Sequence, residues 1–306
     1  MRCDHQNKEV AVDLAGDKLF ECRGCGLVFS KKFLKNFEPN LLYNDYYHNK
    51  AGVSVDRFVF GIENIVTIFR FARALKIYFL VGRGKRVLDI GCGRGWTLYF
   101  LKKYFNYTRV VGTQISRPAF EYAQGTLKLE VYDKDLLDLK IDSEAFDLVT
   151  MWHVLEHVKD PEAYIEKIYQ LLKPHGYFIV EVPNLGSWTR NFVGKYWLGY
   201  DLRYHLTFYS KKTLLQLLAR HGFEIKKVRT FSLEYSTYIS AQSLLSRLTG
   251  TDQVLFGGLQ GKKVALPRLF FHIACMSILA PLCFIINIAL YFSSKGEVLL
   301  IIARKK

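Results

Sequence analysis

The stretch RVLDIGCGRGWTLYFL, residues 86–101, decides the fold. Val87, Leu88 and Ile90 form an apolar run too short for a helix and suited to a buried parallel strand. Gly91, Gly93 and Gly95 follow at alternate positions, and Trp96, Leu98, Tyr99, Phe100 and Leu101 open a helical stripe. Strand, glycine turn and helix in that order make a nucleotide-binding unit. The turn is tight, and a ligand must approach backbone atoms that a Cβ would shield. The spacing is G-x-G-x-G rather than the dinucleotide G-x-G-x-x-G, with Asp89 inside the strand.

Downstream, strand and helix signals alternate as a doubly wound sheet requires. Strands are expected at 108–112, 129–132, 146–151, 177–182 and 223–229, with a last one at 296–304. Ser116 stands where it can cap the helix that Pro118 begins, and a further helix is expected over 161–172. Upstream, Ile65, Ile68, Phe69, Ala72, Leu75 and Phe79 recur on one face of a lead helix over 62–80.

The glycine turn resembles motif I of the class I S-adenosylmethionine-dependent methyltransferases. HVLEHVKDP (153–161) and LLKPHGYFIVEVPN (171–184) resemble a bacterial group that includes the ubiquinone-pathway O-methyltransferases, as do 197–208 and SKKTLLQLLARHGFEIKKV (210–228). The resemblance implies an α/β, Rossmann-like doubly wound sheet of seven strands, the last inserted antiparallel, with S-adenosylmethionine as cofactor. Asp89 would help hold the methionine ammonium, while Gly91, Cys92, Gly93 and Gly95 pass beneath the nucleoside. Gln114, followed by Ile115, stands where the family usually has an acid for the ribose hydroxyls; its amide can bond a diol only without charge assistance. Asp135 falls where a carboxylate accepts from the adenine amino group, beside the Leu136 backbone. Trp152 and His153 lie at the carboxyl edge of the fourth strand, where such sheets bind ligands. Methyl transfer from a sulfonium is an in-line displacement, and a hydroxyl acceptor must lose its proton. With no catalytic metal site evident, histidine is the natural base. His205 is the first candidate and His153 the second; a structural role is open for either.

Three segments follow: a knuckle at 1–35, an aromatic linker and lead helix at 36–82, and a methyltransferase domain at 83–306 carrying an apolar helical insertion at about 232–294. Cys22 and Cys25 flank a zinc-ribbon-like turn, and Cys3 with His5 would complete a four-ligand structural Zn²⁺ site. The alternative is a degenerate knuckle, since Gln6 occupies the place of a second C-x-x-C cysteine.

Net charge of +15 points to an anionic partner, and 50% hydrophobic with 15% aromatic residues suggests apolar surface turned outward. The opening MRCDHQNKEV has no apolar signal region, and six cysteines fit a reducing compartment, so a cytoplasmic location is expected. Residues 269–292 are almost wholly apolar and long enough to span a bilayer of about 30 Å. The last strand must nevertheless rejoin the sheet, so a hairpin of two half-helices broken at Pro281 is expected, dipping into one leaflet of an anionic membrane. The alternative is a helix pair buried against the protein's own core or a dimer partner. The implied acceptor is a hydroxyl on a sugar or lipid-linked glycan, then a quinone or lipid. Ribosomal RNA is a weaker alternative, because no Asn-Pro-Pro-Tyr-type motif follows the fourth strand. A non-catalytic membrane scaffold is the alternative of a different class.

Overall fold

The computed structural model describes residues 5–14, 17–34, 56–251, 254–255 and 264–306. Cys3 and most of the aromatic linker lie outside the described residues.

Seven strands form the central sheet: β4 (Arg86–Ile90), β5 (Arg109–Thr113), β6 (Glu130–Tyr132), β7 (Phe146–Trp152), β8 (Leu172–Pro183), β10 (Phe223–Arg229) and β11 (Val298–Lys305). Their spatial order is β10-β11-β8-β7-β4-β5-β6. β4 pairs parallel with β5 and β7, whereas β11 runs antiparallel to both β8 and β10. The strand order turns back between β4 and β7, so ligand-binding loops gather at the carboxyl ends of these two strands. Val87, Leu88 and Ile90 are buried on both faces, as a central parallel strand demands.

Helix α1 (Asp56–Val81) covers one face, where Ala74 and Ile77 join Leu98 and Leu101 of α2 (Trp96–Tyr104) over Leu148, Ile179 and Leu300. Between α2 and β6 lies α3 (Arg117–Glu121), whose N-cap Ser116 makes no side-chain capping bond; the expected cap is absent. On the opposite face lies α4 (Pro161–Leu171), capped by Asp160 through the Ala163 N–H at 2.9 Å. After α5 (Trp188–Val193) comes α6 (Lys211–Arg220), which begins with a Ser210–Thr213 capping box.

The N-terminal strands β1 (Lys8–Leu14), β2 (Asp17–Cys22) and β3 (Val28–Ser30) continue into β9 (Thr207–Phe208) as a four-stranded sheet. Cys22, Leu27, Phe29 and Phe33 share one hydrophobic cluster with Leu88, Val149 and Leu218. The ribbon is thereby built into the core beneath the β7 loop.

Between β10 and β11 run α7 (Ser236–Thr249) and α8 (Leu266–Phe292). The hairpin of half-helices is corrected here: α8 is one continuous helix with Pro281 inside it. A proline there removes a single backbone hydrogen bond. The helix is held on one side of it by α7 and on the other by Thr251, just past the end of α7. Asn287 Nδ2 donates to Ser240 Oγ at 2.8 Å, and the His272 ring lies 3.3 Å from Thr251 Oγ1. His272, Cys283 and Asn287 are buried, whereas Ile278 is 76% and Ile285 66% exposed. The polar groups face α7, and the apolar remainder faces outward.

Candidate active site

The turn after β4 holds Gly91, Gly93 and Gly95 at φ +70°, +57° and +82°. A Cβ on Gly91 would stand 2.4 Å from Val154 Cγ2, whereas one on Gly93 would meet no protein atom within 4 Å. Gly91 therefore lets the β7 loop close in, and Gly93 keeps the ligand side of the turn bare. The turn is pinned to β5 by Cys92 N–H, which donates to the Thr113 carbonyl at 3.0 Å. Gly112, which the motif reading did not single out, allows this: a Cβ there would stand 2.6 Å from Cys92 Sγ.

Asp89 is 3% exposed and accepts from Thr150 Oγ1 at 2.6 Å. Burial pushes its carboxyl above the usual range, against the pull of Thr150, Arg73 and Arg70. Gln114 is buried, and its Oε1 accepts from Ser116 N–H at 3.0 Å, which leaves its amide N–H groups for a ribose. Asp135 accepts from Leu137 N–H at 2.9 Å and from Tyr164 Oη; each oxygen keeps a second lone pair. Leu136 is buried beside it, and Ile115 is half-buried next to Gln114. These elements fit S-adenosylmethionine: a bare glycine turn, a buried carboxylate in β4, and polar groups at the ends of β5 and β6.

Over the ends of β7 and β8 the arrangement is ionic. Arg70 and Arg73 on α1 clamp Glu234 at 2.6 and 2.7 Å, and the Arg73 guanidinium stacks 4.1 Å over the Trp152 ring. His153, at φ +53°, places Nε2 3.1 Å from Glu181 Oε1 and Nδ1 3.4 Å from Glu156 Oε1. Burial alone would lower its pKa, but bonding to Glu156 and Glu181 outweighs this and raises it well above the ordinary histidine value. With both nitrogens directed at carboxylates, His153 has no lone pair for an acceptor's proton.

His205 is buried and donates from Nδ1 to the Gly199 carbonyl at 2.9 Å, which leaves Nε2 with a lone pair. Burial lowers its pKa, so the ring is neutral near pH 7. Its ring meets His157 edge-on at 4.7 Å. Burial, then the His205 charge, lowers the His157 pKa to about 4. Glu156 is 1% exposed; burial opposes its ionisation, but His153 and the neighbouring imidazoles hold it at about 2. Neither Glu156 oxygen has a hydrogen bond of good geometry. The ligand-capable atoms of Glu156, His157 and His205 lie within 4.8 Å of one another and could hold a metal ion. Sequence reading saw no such set, because His205 joins the Glu156-His157 pair from a distant insertion; the adjacent Glu-His pair was the available signal.

In the ribbon, His5, Cys22 and Cys25 bring their ligand atoms within 4.8 Å, with Cys25 Sγ 3.4 Å from His5 Nδ1. Two thiols and an imidazole suit tetrahedral zinc, for which Cys3 would be the fourth ligand. Sequence reasoning also missed Glu297, fully buried, which accepts from Ser187 Oγ, Trp197 Nε1 and Ser240 Oγ at 2.9–3.1 Å. It ties the 184–200 insertion to α7; a lone acid opening an apolar strand was its signal.

The family model of the methyltransferase domain matches residues 67–228, just over half the chain. A ubiquinone biosynthesis O-methyltransferase of Coxiella burnetii is 34% identical over 99 residues, covering 31% of this chain and 42% of that protein. A probable S-adenosylmethionine-dependent methyltransferase of Mycolicibacterium smegmatis is 23% identical over 147 residues, 47% of this chain and 53% of that one. The chain thus spans about half or less of the length of these curated relatives. Among solved structures, that of a putative sarcosine dimethylglycine methyltransferase from Galdieria sulphuraria superposes with a TM-score of 0.51 at 13% identity. It covers 77% of this chain and 84% of that one, a likeness of fold.

Proposed function

The chain belongs to the class I S-adenosylmethionine-dependent methyltransferase family, and from that premise we propose that it methylates a hydroxyl of a sugar or lipid-linked glycan at the cytoplasmic surface of a membrane. The observation that carries the acceptor assignment is α8, whose polar side chains His272 and Asn287 are turned to α7 while Ile278, Ile285 and Phe292 face outward. α8 is the one helix among the described residues long and apolar enough to cross a membrane. Because α7 and Thr251 just after it hold α8 from Asn287 to His272, the reading is a helix lying side-on in one leaflet rather than crossing it.

Bound S-adenosylmethionine would supply an electrophilic methyl group, its S–C bond breaking to leave a neutral thioether as the acceptor's O–C bond forms. The chain's residues do the rest. Asp89 and the glycine turn orient the donor, and α1 with the 230–235 loop closes over the β7 and β8 ends. His205 Nε2 takes the hydroxyl proton as the new O–C bond forms, while its Nδ1–H stays anchored on Gly199. His153, held between Glu156 and Glu181, fixes the loop. The ribbon residues Cys22, Cys25 and His5 would hold a structural zinc.

A quinone or lipid acceptor is the second reading, favoured by the printed activity of the Coxiella relative. Transfer of labelled methyl into fractionated cell extract tests both. Label in glycan or glycolipid supports the first reading and label in quinone the second; label in RNA, or none despite cofactor binding, overturns them.

A further inference from the structure

A shallow cleft, open to solvent, lies between α1 and the ends of β7, β8 and β10. Its lining includes Arg73, Lys76, Arg229, Glu181, Glu234 and Trp152. Both carboxylates are already matched: Glu234 by Arg70 and Arg73, and Glu181 by His153 and the Ser232 hydroxyl at 3.2 Å. Among the described residues, Lys76 and Arg229 form no ion pair with a carboxylate. The Arg229 Nε is buried without a hydrogen-bond partner. Lys76 is an exposed residue of this lining; partial desolvation first, then Arg229 and Arg73, push it below the ordinary lysine range, with Glu181 pulling the other way. Two crowded cations with free donors make a site that gains from an anion.

The rim of the same cleft is apolar. Phe231 and Leu233 line it, Leu233 is 45% exposed, and the Phe231 ring meets Phe284 of α8 edge-on at 6.0 Å. Apolar side chains therefore lead from α8 to the two cations, and the cleft shares Trp152 and Glu181 with the methyl-transfer side.

We propose that the cleft receives the phosphate of a lipid-linked acceptor, the phosphate between Lys76 and Arg229 and the hydrocarbon chain along Phe231, Phe284 and α8. This rests on the methyltransferase reading above and names the acceptor class. The apolar rim is what favours a lipid phosphate over a water-soluble one.

Calorimetry on the full chain with farnesyl phosphate, farnesol and a hexose phosphate tests it. Farnesyl phosphate is expected to bind about tenfold or more tighter than farnesol, the ratio that one or two charge-assisted hydrogen bonds give. In a Lys76→Met, Arg229→Met double variant this ratio should fall to about threefold or less, at unchanged S-adenosylmethionine affinity. Equal affinity for the two farnesyl compounds in the native chain overturns the proposal, as does a ratio that survives the double variant. Hexose phosphate binding as tightly as farnesyl phosphate overturns the lipid assignment. If the double variant misfolds, single Lys76→Gln and Arg229→Lys variants must each lower the ratio, or the proposal fails. Loss of cofactor binding in the native chain would instead sink the methyltransferase reading, so the two failures are separable.

Discussion

The cofactor edge and the acceptor edge of one sheet are built in opposite ways. At the cofactor edge, Asp89 to Gly95 are consecutive, and backbone conformation does the work: three positive φ values and a turn pinned to Thr113. At the acceptor edge, Arg70, Arg73, His153, Glu181 and Glu234 come from four separate segments and form ion pairs at 2.6–3.1 Å. A site made of backbone tolerates little change at its glycines. A site made of side chains can be re-specified one residue at a time, which suits a fold that keeps one donor and varies the acceptor.

The largest effect should come from the backbone side. Gly93→Val adds a branched side chain on the bare face of the turn, at a φ that costs it about 1–2 kcal/mol. S-adenosylmethionine affinity should drop by about 100-fold or more, while the fold survives because no protein atom is struck. Calorimetry on a variant with native circular dichroism decides this, and unchanged affinity would remove the cofactor assignment.

On the side-chain side, His205→Ala should lower kcat by about 10²–10⁴ and leave cofactor affinity nearly intact. His153→Ala, in contrast, should disturb the loop rather than remove a base. Steady-state kinetics on both variants compares them, and the reverse pattern would exchange the roles. Activity abolished by a chelator and restored by a divalent cation would replace the base by a metal on Glu156, His157 and His205.

How legible each edge was follows the same division. Glycine turn, strands and lead helix rest on local pattern and are present, the helix beginning six residues early at Asp56, while the antiparallel last strand was legible only through the family resemblance. β8 begins earlier than expected, at Leu172, because the chain after α4 pairs at once beside Phe146. The ion-pair clamp was invisible: nothing in Arg70, Arg73 or Glu234 alone states that α1 crosses above the 230–235 loop. Pro281 misled because a proline is read as a stop, yet a helix braced on one side of it by α7 and on the other by Thr251 loses only one hydrogen bond. Ser116 misled too: its Oγ is buried and takes no hydrogen bond from the first turn of α3.

A third comparison sets α8 against the cores. Ile278→Lys with Ile285→Lys changes only exposed positions, so melting temperature and cofactor affinity should hold. Sedimentation with anionic liposomes should show partitioning weakened by about tenfold or more, with the native chain resisting a high-salt wash. A native chain that ignores liposomes would favour a protein partner for this face.

The smallest effect tests whether the two edges are coupled. Glu234 is the acid that holds α1, which lies over Asp89, to the acceptor loop. Its pKa is lowered: burial pushes it up, but Arg73 and then Arg70 prevail. A carboxyl depressed on folding adds stability that is fully present above the ordinary glutamate value and is lost as pH falls through the lower folded value. Glu234→Gln should therefore lower the melting temperature by about 2–4 °C near neutrality, the shift expected from roughly 1 kcal/mol. The deficit should shrink as pH falls below about 4.5, where the glutamate of the unfolded chain takes up its proton, and vanish below the lower folded value. Thermal melts from pH 7 to pH 3 on both proteins read this directly. If the clamp also positions the donor, cofactor affinity should weaken in the variant at pH 7, although Glu234 sits on the acceptor side. A pH-independent deficit would mean that packing rather than charge joins the two edges, and unchanged affinity would mean that they act apart.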